Sequence, residues 1–142
     1  MQLIDVKQKN TLALAYLGDA VYESLVREYL MEHSNASPAV LHKLAVSVVC
    51  ADAQCEVLEL LKNRLNDEEN AVVRRGRNAS KAAVPKSATP KAYRAATALE
   101  ALFGYLMMSK QSKRIHELFE VVIESQLEAA LMKQVSVHKR GA

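Results

Sequence analysis

Two short stretches carry the residues most able to do chemistry: Tyr16-Leu17-Gly18-Asp19-Ala20-Val21 and Leu99-Glu100-Ala101-Leu102-Phe103-Gly104. Each sets one carboxylate among apolar neighbours that predict burial. An ionised carboxylate is costly to desolvate unless it is paired or bound to a cation. A single divalent ion shared by Asp19 and Glu100 would account for both. Gly18 and Ala20 flank the first acid, and Ala101 and Gly104 follow the second. Small residues let two helices approach as closely as a shared ion demands. Mg²⁺ prefers oxygen ligands, keeps several waters and takes one or two carboxylates from the protein. The spacing alone leaves a second reading open, in which Asp19 pairs with a Lys or Arg and Glu100 is simply exposed.

The elements that must position these acids read as helices. Asn10 or Thr11 can cap a first helix reaching about Glu32, with Leu12, Ala15, Tyr16, Asp19, Tyr22, Glu23 and Val26 on one broad face. Ser37-Pro38 is a cap followed by proline at the first helical position. A helical pattern then continues to about Leu65, with a break near Val48 to Ala51 where β-branched residues crowd. Asn66-Asp67-Glu68-Glu69 has the form of a capping box, opening a short helix that Gly76 would end as a left-handed cap. A basic exposed loop is expected over about 77–89. Thr89-Pro90 opens a long apolar helix to about Ser109. A last helix is expected from about Ser112 to Met132, with a frayed basic tail over about 135–142. No strand and no internal repeat is expected.

The chain has 142 residues, half of them apolar, which suits one domain with a real core. Gly at 4 and Pro at 3 are scarce for a β-rich or disordered chain, so the composition favours an all-α fold. No apolar run reaches the roughly 18 residues of a membrane span. Neither does the N-terminus have a signal-peptide layout, so a cytoplasmic protein is expected. Cys50 and Cys55 fit neither a CxxC pair nor a zinc site and are expected to be reduced core thiols. His33, His42, His116 and His138 are scattered, with none in a triad-like setting. The net charge is only +3, but Ala71 to Leu99 holds no Asp or Glu while carrying Arg74, Arg75, Arg77, Lys81, Lys86, Lys91 and Arg94. Such one-sign asymmetry points to a polyanionic partner. A helical DNA-binding module would instead carry its basic residues on a recognition helix after a tight turn.

Leu14-Ala15-Tyr16-Leu17-Gly18-Asp19-Ala20-Val21 resembles the signature helix of the ribonuclease III family, and Glu100-Ala101-Leu102-Phe103-Gly104-Tyr105-Leu106 resembles its second acidic motif. Arg74-Arg75-Gly76-Arg77-Asn78-Ala79 and Tyr93-Arg94 are similar to features of the compact Mini-III branch, which has no separate double-stranded-RNA-binding domain. The likeness runs from about Leu12 to Leu118 and implies a single ribonuclease III-like helical domain over 1–142. The larger enzymes carry further acids where this chain has Ala15 and Thr97, so only Asp19 and Glu100 remain of the usual four. The resemblance implies metal-dependent hydrolysis of double-stranded RNA, leaving 5′-phosphate and 3′-hydroxyl ends. Asp19 and Glu100 would be the catalytic and metal-holding residues, with Mg²⁺ as cofactor and Mn²⁺ as a substitute. It also implies a large-subunit ribosomal RNA precursor as substrate and a homodimer that cuts opposite strands. Leu12, Phe103, Met107 and Met108 are candidates for the dimer surface, because their helices look apolar over more than one face. Arg74, Arg75, Arg77 and Lys81 are the candidate RNA contacts, and Tyr22 and Glu23 are read as packing and supporting residues beside Asp19. The alternative is a non-catalytic RNA-binding member of the same fold.

Overall fold

A computed structural model describes residues 2–80 and 84–140, with side chains described to Val135. After a 3₁₀ turn at Val6–Gln8 come helices α1 (Thr11–His33), α2 (Pro38–Val49), α3 (Ala51–Leu61), α4 (Asp67–Ala79), α5 (Pro90–Met108), α6 (Ser112–Val122) and α7 (Glu128–Arg140). A π-helical segment, Ile123–Leu127, joins the last two. No strand occurs among the described residues, and the fold is all-α.

The helix starts follow from local hydrogen bonds. Asn10 Oδ1 accepts from the N–H of Leu12 at 2.9 Å and of Ala13 at 3.1 Å. Thr89 Oγ1 accepts from Ala92 N–H at 3.1 Å, with Pro90 following. Asn66 Oδ1 accepts from Glu69 N–H at 2.8 Å while Glu69 Oε1 accepts from Asn66 N–H at 3.0 Å, so the expected capping box forms. The expected break before Ala51 lies at Cys50, whose extended backbone separates α2 from α3.

Helix α5 is the central element. Leu99, Leu102, Phe103 and Leu106 on it are fully buried. Helices α1, α3 and α4 all pack against it, α1 along the greatest length. An apolar helix surrounded by others has no solvent face to reserve, which is why α5 lacks a polar stripe. Phe103 therefore belongs to the core of its own chain rather than to an outer surface. Met107 is exposed and Met108 half-buried.

Gly76 ends no helix. Helix α4 runs through it to Ala79, and none of the described glycines has a positive φ. Gly76 serves close packing: a Cβ there would lie 2.7 Å from Ala98 Cα on α5. Arg77, Asn78 and Ala79, expected in the basic loop, are helical for the same reason. Helix α7 likewise extends to Arg140, through much of the expected frayed tail. Of the cysteines, Cys50 is exposed and Cys55 half-buried, and both are free thiols.

A buried ion pair ties α6 to the start of α4. The Glu69 side chain is 1% exposed, and both of its oxygens accept from Arg114 at 2.8 Å. The same guanidinium donates to the Arg64 carbonyl at 2.8 Å and to Glu117 at 3.1 Å. Burial alone would raise the Glu69 pKa, but the Arg114 hydrogen bonds and the Asn66 N–H outweigh it and hold it below the usual range. The pair therefore contributes stability above the ordinary carboxylate range, and that contribution is lost as pH falls through the depressed value. Arg114→Ala is expected to cost about 3 kcal/mol by urea denaturation, because Glu69 stays buried without its partner. Arg114→Lys should recover less than half, since an ammonium cannot reproduce the fork and reach the Arg64 carbonyl together.

Candidate active site

The two acids are brought together by a backbone contact. Helices α1 and α5 cross where Gly18 meets Gly104. A Cβ on Gly18 would overlap the Glu100 carbonyl and lie 2.8 Å from Gly104 N. A Cβ on Gly104 would overlap the Leu14 carbonyl. No side chain larger than hydrogen fits on either side. The residue after Gly18 and the residue a turn before Gly104 are thereby held face to face, and these are Asp19 and Glu100.

The environments of the two acids differ. Asp19 is exposed, against the burial expected from its neighbours, and lines an open cleft of about 440 Å³ with Tyr16, Leu17, Ala20 and Glu23. Tyr16 is also turned outward, at 85% exposure, and Leu12 is 47% exposed. The buried side of α1 consists of Leu14, Ala15, Gly18, Val21, Tyr22, Val26 and Leu30. The face is rotated from the expected one because the glycine contact, not the largest side chains, sets which side meets α5. Glu100 lies deeper. Burial, then the hydrogen-bonding approach and charge of Asp19, push its pKa up to about 8, and the Gln54 side chain acts in the opposite direction. Neither acid takes part in an ion pair among the described residues. Among the described residues, the reading in which Asp19 pairs with a Lys or Arg is not what the fold builds.

The donor set fits a hard divalent cation. Two carboxylates face each other, uncompensated by any cationic side chain among the described residues, which is the condition that a bound ion relieves. No cluster of three acidic, His or Cys side chains able to hold a metal occurs among the described residues. The protein thus offers two carboxylates rather than a closed cage, and most of the coordination would remain to water and substrate.

Other residues singled out in the sequence fall into place around this pair. Thr97 is buried, and its hydroxyl donates to the Tyr93 carbonyl at 3.0 Å on its own helix. Ala15 is buried against the core. Glu23 lines the cleft and is held by Arg27 at 3.1 Å, in keeping with a supporting role. Tyr22 packs edge-on against Phe103 and Phe119, with ring centroids 5.1 Å and 6.1 Å away. Its buried hydroxyl has no hydrogen-bond partner. Burial, with the charges of Glu100 and Cys50 behind it, raises the pKa of that phenol.

Arg74, Arg75 and Arg77 are exposed on α4. Arg74 and Arg77 line an open groove of about 760 Å³ with Lys62, between α3 and α4, and this groove shares no lining residue with the acidic cleft. Lys81 lies outside the described residues. Gln54, which is 2% exposed on α3, does not stand out in the sequence. Its only sequence signal is a lone amide on the apolar helix face of Ala53, Val57 and Leu58.

Known proteins resemble this chain along most of its length. Residues 12–111 match the model of the Ribonuclease III domain. A Mini-ribonuclease 3 of Enterococcus faecalis is 42% identical over 122 residues, covering 84% of this chain and 92% of the relative. A Mini-ribonuclease 3 of Symbiobacterium thermophilum is 45% identical, covering 80% of this chain and 87% of the relative. A crystal structure of a protein from Fusobacterium nucleatum superposes with a TM-score of 0.79 at 30% identity, covering 86% of this chain and 98% of that one. Among the described residues, no helix is long and apolar enough to cross a membrane. Matched by the family model over residues 12–111 and by relatives along most of its length, the chain belongs to the ribonuclease III family of endoribonucleases, in the Mini-ribonuclease 3 group.

Proposed function

We propose that this endoribonuclease hydrolyses phosphodiester bonds in double-stranded RNA, in the cytoplasm, during maturation of a large-subunit ribosomal RNA precursor. The observation that carries the catalytic part is the juxtaposition of Asp19 and Glu100 with no cationic partner among the described residues. Together they would hold Mg²⁺, with Mn²⁺ as a substitute. A cation bound there acidifies a water and neutralises charge developing on the phosphate. The protein's own part is positional. Asp19 lines the open cleft, where a phosphodiester backbone arrives, and Glu100 is set behind it. A-form RNA hides its base edges in a deep major groove, so shape and charge carry recognition. The exposed basic face of α4 supplies that charge. Leu12 and Tyr16 leave apolar surface directly beside the cleft, which supports a homodimer that sets two such sites against one duplex.

The test is incubation of the protein with a long RNA duplex and with its separated strands, in Mg²⁺ and in EDTA. Cleavage of the duplex in Mg²⁺ alone is expected. Cutting that persists in EDTA would overturn the metal-dependent reading, and duplex binding without cutting would favour the non-catalytic RNA-binding alternative.

Neutralising Arg74, Arg75 and Arg77 together should weaken duplex binding far more than it slows cleavage at saturating enzyme. For every phosphate that an arginine no longer neutralises, the log–log salt dependence of affinity flattens by something under one unit. Binding across a salt series with the Glu100→Gln protein reads this directly. Unchanged affinity with an unchanged slope would mean that α4 faces only solvent.

A further inference from the structure

The arginines of α4 do not exhaust the acid-free basic sequence of this chain. His33 to Ala51 holds His42 and Lys43 with no Asp or Glu, and Ala129 to Ala142 holds Lys133, Lys139 and Arg140 with none either. The fold lays these two stretches side by side. Helix α2 packs against α7, and an open groove of about 620 Å³ runs between them. Lys43 and Ser47 line it from α2, Gln126 from the π-helical segment, and Lys133 and Gln134 from α7. Ala129 and Ala130 also line it, and side chains that short leave it open. Both lysines are exposed, and neither takes part in an ion pair among the described residues. Gln126 Nε2 donates to Glu56 at 2.9 Å, but no acid among the described residues lines the groove.

The groove is linked to the acidic cleft through α1 and α2. Asp19, Glu23 and Arg27 are spaced four residues apart, so they follow one another along one face of α1. Glu23 lines the cleft, and Arg27 Nε donates to its Oε1 at 3.1 Å. Arg27 in turn lines a cavity of about 220 Å³ with His42, the neighbour of Lys43 on α2. We propose that the groove between α2 and α7 is a second RNA-backbone site, where Lys43 and Lys133 neutralise phosphates of a duplex that extends past the acidic cleft. Ammonium groups flanked by side-chain amides are a donor set that nucleic-acid-binding proteins direct at phosphate oxygens. Such contacts fix register and orientation and read no sequence, which suits a substrate recognised by its A-form shape. The inference rests on the double-stranded-RNA reading given above.

The test is the double substitution Lys43→Gln with Lys133→Gln, measured as duplex affinity in EDTA across a salt series and a series of duplex lengths. On a long duplex the variant should bind about 10-fold or more weaker at about 0.1 M salt, with a log–log salt slope flatter by something under two units. The loss should grow with duplex length, because the shortest duplexes fill the cleft without reaching the groove. Lys43→Arg with Lys133→Arg keeps both charges and should bind as the wild type does. A folded double Gln variant with wild-type affinity and slope on the long duplex would overturn the second site alone. So would a loss equal at all lengths, which reflects net charge rather than this groove. Wild-type protein that binds no RNA duplex of any length would overturn the double-stranded-RNA reading, and this inference with it. A readout without variants is the rate at which an amine-acylating reagent labels each lysine of the wild type. Long duplex should slow labelling of Lys43 and Lys133, and unchanged rates at both would also overturn the proposal.

Discussion

Asp19→Asn and Glu100→Gln are each expected to lower single-turnover cleavage of an RNA duplex by on the order of 10³-fold or more, with the fold intact. Both substitutions preserve side-chain shape and remove the charge that would hold the cation. Glu23, the other acid lining the cleft, is paired with Arg27, and no cluster of three acids able to hold a metal occurs among the described residues to compensate. Near-wild-type cutting by either variant would remove that residue from the chemistry. The same experiment has a stability counterpart with a definite sign. In the metal-free protein the pKa of Glu100 is raised to about 8 from an ordinary 4.5. Its contribution to stability is therefore complete below the ordinary value and is lost as pH rises through about 8. Glu100→Gln removes that loss. In EDTA the variant should melt at the wild-type temperature in acid and several degrees above it at alkaline pH. Adding Mg²⁺ should reverse the order, because only the wild type gains from binding.

Gly18→Ala is expected to cost about 3 kcal/mol or more and to reduce cleavage by about 100-fold at temperatures where the variant is folded. The added methyl would overlap the Glu100 carbonyl, a backbone atom that no rotamer change can move. Relief requires α1 and α5 to separate, and that separation pulls Asp19 from Glu100. Gly76→Ala is the informative control. Its methyl would press on Ala98 Cα at 2.7 Å, so it too forces a helix away from α5, but that helix is α4, which carries neither acid. It should destabilise to a similar degree and, well below its melting temperature, still cut. Urea denaturation and cleavage measured on the same preparations separate the two effects. Gly18→Ala protein with wild-type stability and rate would show that the helix contact does not set the spacing of the acids.

The helix starts were legible from the chain because each is a local event. Asn10, Ser37-Pro38, Asn66 with Glu69, and Thr89-Pro90 cap their helices through hydrogen bonds spanning three residues or fewer. The acidic pair was legible as well, since Asp19 and Glu100 stand beside glycines that only a close helix contact requires. What the chain did not disclose is which side of each helix turns inward. Leu12 and Tyr16 are apolar in type yet face solvent, and Phe103 is taken up by the core rather than offered to a partner. Gly76 has the composition of a helix stop and is a packing glycine, so the arginines around it stand on a helix rather than in a loop. Residue type and local hydrogen bonding decide where a helix begins and which residues could do chemistry. The face that a helix buries depends on backbones distant in the chain, and for α1 and α5 the contact of Gly18 with Gly104 sets it.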